Sequence, residues 1–63
     1  MNGHEILYAE AAKVREAIRI YGGGFMQALG NAMDMADHNN LYKIRETWSK
    51  EWKQYLDMSK HIK

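Results

Sequence analysis

The chain has 63 residues and no cysteine, so it is one domain spanning 1–63 without disulfide support. At this size folding buries only about 60% of the unfolded chain's surface, and stability must come from close helix packing or from self-association. Nine Lys+Arg against eight Asp+Glu leave a net charge of +1, which excludes the broad basic field of a general DNA binder.

From the N-terminus onward, no basic segment leads into an apolar run, and no apolar stretch approaches bilayer-spanning length. Gly3 stands one position too late for a myristoylation signal. The expected setting is the cytoplasm, with no membrane partner. Between Glu5 and Tyr21, the residues Leu7, Ala11, Val14, Ile18 and Tyr21 recur at alternating spacings of four and three, the stripe of an amphipathic helix. Ile6, Ala17 and Ile20 widen that stripe, so it suits two neighbouring helices or a self-pairing seam. Glu10 and Lys13, like Glu16 and Arg19, are three apart on the polar face and can pair.

Tyr21-Gly22-Gly23-Gly24-Phe25 then breaks the helix. Three glycines in a chain without proline form the strongest turn signal available, and a left-handed backbone is expected at one or more of them. Helical periodicity resumes over residues 25–36, where Phe25, Leu29, Ala32 and Ala36 lie on one expected face and Ala28, Ala32 and Ala36, four apart, form a small-residue ridge that lets another helix approach closely. Met26, Met33 and Met35 supply flexible apolar filler, and Gly30, poor for a helix interior, suggests a close contact.

Asp37-His38-Asn39-Asn40 is rich in capping residues, and Asp37 is the expected N-cap of the next helix. Leu41, Ile44, Trp48, Trp52, Tyr55 and Leu56 carry its apolar face through at least Leu56, with Lys43, Glu46, Lys50, Lys53 and Asp57 on the wet side. The fold expectation is therefore all-α: a compact three-helix bundle with a Gly-rich turn after helix one, extended to four helices if Ser49 caps a separate last helix.

The string Tyr21-Gly22-Gly23-Gly24-Phe25, then Ala28-Leu29, Ala36-Asp37 with Asn40, and Trp48 with Trp52 and Tyr55, resembles a group of very small, uncharacterised helical proteins encoded by bacteriophages and prophages. The resemblance covers residues 21–55. It implies a Tyr-Gly-Gly-x-Phe turn, an Ala-Asp-Pro-Glu-Asn helix start and an aromatic-Pro-Glu-x-Trp step. This chain has His38 and Ser49 where those two prolines would stand. The resemblance implies phage origin and action in the host cytoplasm, without implying an activity.

Few residues offer chemistry. Asp34 with His38, and Asp57 with His61, are four apart, each giving two ligands where zinc needs three or four. The three histidines look too scattered for a structural zinc site, and Ser49 and Ser59 have no nucleophile motif around them. No catalytic residue, metal or cofactor is expected. Two binding readings stand side by side. Trp48, Trp52 and Tyr55 exceed what a thin core needs, and Trp and Tyr anchor protein interfaces. On that reading the protein binds a host or host-defence protein stoichiometrically, as inhibitor or adaptor. Gly22, Gly23 and Gly24 opening a helix could instead hold phosphate, with Arg15 and Arg19 returning to it and Tyr21 or Phe25 stacking on a base. That arrangement would suit an oligomer sequestering a nucleotide or cyclic-nucleotide signal. A minor virion component is the third reading, and homo-oligomerisation fits all three.

Overall fold

A computed structural model describes residues 3–62, and among them the chain forms four helices and no strand: α1 (Gly3–Tyr21), α2 (Gly24–Met35), α3 (His38–Thr47) and α4 (Ser49–Ser59). Helix α1 makes its most extensive contact with α4 and its next with α2, so it is the spine of the bundle. Leu7, Val14, Ala17 and Ile18 of α1 are fully buried, as the stripe predicts. Ile6, Ile20 and Tyr21 are about half exposed, so the buried stripe is narrower than the sequence suggests. Glu5 in the first turn and Arg19 in the last complement the helix dipole.

The glycine turn works by close approach rather than by a left-handed backbone, since none of the described glycines has positive φ. A Cβ on Gly22 would stand 2.7 Å from the Ile18 carbonyl oxygen and 3.1 Å from both the Ile18 and Met26 side chains. Gly22 N–H donates to that same carbonyl at 2.7 Å. Gln27 closes the junction from the other side. Its Nε2 donates to the Ile18 carbonyl at 2.6 Å, which thereby accepts two bonds, and to the Gly22 carbonyl at 3.1 Å.

This junction sets the rotation of α2. With Met26 against Gly22 and Gln27 capping α1, the helix buries Met26, Leu29, Gly30 and Met33. The expected face of Phe25, Leu29, Ala32 and Ala36 is therefore corrected: Leu29 alone is fully buried, Ala36 is partly buried, Ala32 is exposed and Phe25 is 60% exposed. Met35 is 87% exposed. Gly30 has the close contact its place in a helix suggests, and the neighbour is the Arg15 guanidinium, whose Nη1 would lie 2.8 Å from a Cβ there.

Asp37 caps α3 as its sequence context predicts, its carboxylate accepting the Asn40 N–H at 2.8 Å. The long third helix is interrupted at Trp48, whose φ of −114° and ψ of 47° leave the helical region. Trp48 N–H still donates to Ile44 and its carbonyl still accepts from Trp52, so the break is one residue wide. Trp48 itself is the N-cap of α4, and no side chain caps that helix, so Ser49 does not act as a cap. Leu41, Trp52 and Tyr55 join the buried residues of α1 and α2 in one core cluster.

Candidate binding surfaces

The aromatic trio expected to bind a partner is divided by the fold. Trp52 is 4% and Tyr55 8% exposed, both within the core. The Trp52 Nε1–H donates to Glu10 Oε1 at 3.0 Å, and Glu10 also pairs with Arg45 at 3.3 Å. These two rings are closed to a partner in the folded chain. Trp48 is half-buried and meets Phe25 with ring centroids 6.1 Å apart at 57°.

The glycine run gathers no cation. Arg15 Nε donates to both Asp34 carboxylate oxygens at 3.0 Å, and its Nη2 donates to Asn31 at 3.2 Å. Arg19 pairs with Glu16 one turn back, as the three-residue spacing predicts. Gln27 occupies the inner side of the turn. Arg15, Arg19, Tyr21, Gly22, Gly23, Gly24 and Phe25 are thus neighbours in sequence that do not converge on a ligand position.

Neither Asp/His pair forms as spaced. Asp34 turns to Arg15, and Asp57 pairs with Lys60 at 3.6 Å. Among the described residues, no group of three or more acidic or histidine side chains is placed to hold a metal ion. His38 instead stacks on His4, ring centroids 3.6 Å apart at 22°, with Tyr8 6.3 Å from His38. The two histidines are 34 positions apart and meet because α1 packs on α2 and α4, and α3 on the same two helices. Nothing in the residue spacing signals that pairing. Capping by Asp37 fixes where α3 begins, and therefore where His38 stands.

Two surfaces result, one on each flank of α3. Leu41 points to the core, and His38, Tyr42 and Arg45 follow one flank by helical spacing. With His4, Ile6 and Leu7 of α1 they line a concavity of about 350 Å³. Tyr42 is about half exposed there, Tyr8, also about half exposed, lies beside the His38 ring outside the lining, and His38 Nδ1 is buried with no hydrogen-bond partner among the described residues. On the other flank, Ile44 and Trp48 face Ala32, Met35 and Ala36 of α2 across a groove of about 470 Å³. The first surface combines aromatic, aliphatic and cationic side chains, and the second is mainly apolar with Asn40, Lys43 and Thr47 at its margin. No family model matches the chain, and no curated protein or solved structure matches it either.

Proposed function

We propose that the protein acts stoichiometrically and without catalysis, as a phage accessory protein that binds a host or host-defence protein in the host cytoplasm. The contact surface in this reading is the α1–α3 concavity, with Tyr8 and Tyr42 as anchors, Arg45 at the rim and the His4–His38 stack as its floor. The observation that carries it is His38 Nδ1, a buried ring nitrogen left without a partner in a concavity lined by half-exposed tyrosine. Buried polar atoms are normally satisfied; with less than 1 Å² of it exposed, this one is reached by a docking protein group only when the His4–His38 stack opens. Tyr and Arg are also the residues on which interface energy concentrates. The resemblance across residues 21–55 supports the phage setting.

Capture from infected host cells tests the reading. Immobilised protein is expected to retain one host or defence protein near one-to-one, and Tyr8→Ala with Tyr42→Ala is expected to lose it while circular dichroism stays helical. Equal retention by the doubly substituted chain, or no retained protein at all, overturns it. The nucleotide-sequestering reading has less support, because Arg15 and Arg19 already face carboxylates away from the glycine run.

A further inference from the structure

We propose that two copies of the chain pair through antiparallel α2 helices, with the two-fold axis crossing at the level of Gly30. The face of α2 turned away from the core carries Phe25, Ala28, Ala32 and Met35, all exposed. Their spacings are three, four and three, and their sizes run large, small, small, large. That pattern reads the same in both directions about position 30. Laid antiparallel on a copy of itself, Phe25 falls beside the partner's Met35 and Ala28 beside the partner's Ala32.

A symmetric dimer requires such self-complementarity, since each patch meets its own copy reversed. A foreign helix would have no reason to match it. The alanines at the centre let the helix axes approach to about 8 Å, the close end of helix packing. Either side of them, Phe25 of each copy, leaning on Trp48 of its own chain, is set against Met35 of the other, beside the groove that Ala32, Met35, Ile44 and Trp48 line. Asn40, Lys43 and Thr47 also line that groove, while α2 itself brings no unpaired charge to the seam. The one charged side chain of α2, Asp34, is held by Arg15 of its own chain, and Asn31 is held by the same arginine.

The area sets the strength. Helix α2 has 12 residues, about 18 Å of length, which falls short of the roughly 800 Å² per partner of a standard interface. The expected dissociation constant is therefore on the order of 10–100 µM. The tyrosine and histidine surface lies on the opposite flank of α3, so the dimer leaves both copies of it free.

Because the chain has no cysteine, introduced thiols report the register directly. Ala28→Cys mixed with Ala32→Cys is expected to form a mixed disulfide at least tenfold faster than either forms with itself, since the pairing sets 28 against 32 and separates like positions by about 6 Å along the axis. In sedimentation, the unsubstituted chain is expected to rise from 7.4 kDa toward twice that mass with concentration, and Ala28→Glu to weaken the rise at least tenfold with unchanged helicity. A monomer up to about 0.5 mM, or cross-linking of like positions as fast as the mixture, overturns the proposal. Should Ala28→Glu fail to fold, the two cysteine variants still decide it.

Discussion

The indole N–H of Trp52 reaches the Glu10 carboxylate at 3.0 Å, joining the middle of α4 to α1 across 42 positions of sequence. Glu10 holds Arg45 of α3 with the same oxygen. One carboxylate thereby ties three of the four helices, at the rim of a core that contains no buried charge. Trp and Tyr in cores usually find a partner for their polar end, and here the partner also fixes how α3 meets α1.

Removing that carboxylate leaves the indole N–H of a buried ring without an acceptor. Glu10→Leu is expected to cost about 1–3 kcal/mol, a fall in Tm of roughly 4–8 °C for each kcal/mol in a domain of this size. Glu10→Gln keeps an acceptor for Trp52 and loses the partly exposed ion pair with Arg45, so its cost is expected below about 1 kcal/mol. Thermal melts of the two variants check the order. Equal losses would show that the ion pair, and not the indole bond, carries the effect.

Burial separates the two tryptophans. Trp52→Ala removes a ring that is 4% exposed and is expected to cost about 3–5 kcal/mol, against a total stability of roughly 3–9 kcal/mol for this many residues. The variant should melt at least about 12 °C lower by circular dichroism, at roughly 4–8 °C for each kcal/mol in a domain of this size. Trp48→Ala removes a half-buried ring and should stay folded with a lower midpoint. A Trp52→Ala variant with an unchanged midpoint would return that ring to the surface.

The three glycines differ in what they tolerate. Gly22→Ala drives a Cβ into the Ile18 carbonyl and is expected to destabilise by about 1–3 kcal/mol, as overpacking against fixed atoms does. Gly23 and Gly24 have nothing within 4 Å of an added Cβ. Gly24→Ala, at the first helical position, should gain about 0.4–1 kcal/mol through the unfolded chain. Gly23→Asp should gain by a similar amount, because Gly23 is an N-cap with extended backbone and no side-chain acceptor. Denaturant midpoints of the three variants check the signs.

Helix α1, the turn and the Asp37 cap are legible in the sequence because each rests on local chemistry: periodicity, glycine and a side chain three residues from its N–H. The rotation of α2 is not. That helix is apolar on two sides, Met26/Leu29/Met33 and Phe25/Ala28/Ala32/Met35, and Leu29 joins the buried set under either rotation. Periodicity cannot choose between them, and the choice is made by Gln27 and Met26 packing against the end of α1. Trp52 misleads for a related reason. Composition marks it as an interface residue, yet α1 offers only Leu7, Val14, Ala17 and Ile18 to the core, so α4 must supply the volume. The His4–His38 stack depends wholly on tertiary packing.

Helix α3 is the element most dependent on its cap. It has ten residues and fully buries only Leu41, and a helix that short is marginal on propensity alone. The Asp37 carboxylate supplies what packing does not, accepting the Asn40 N–H at 2.8 Å. Asp37→Ala is expected to cost about 1 kcal/mol, within the usual 0.5–2 kcal/mol for a lost cap. Asp37→Asn keeps the acceptor and gives up only the interaction of its charge with the helix dipole, about 0.3–1 kcal/mol. The loss should also be local. Hydrogen exchange in Asp37→Ala is expected to quicken first in the amides of α3, while those of α1 around Val14 to Ile18 keep their protection, since regions with few buried contacts open below the global unfolding energy. Uniform acceleration across all four helices would instead mean that the cap is coupled to the whole core through the Arg45–Glu10–Trp52 chain, and that α3 has no opening of its own.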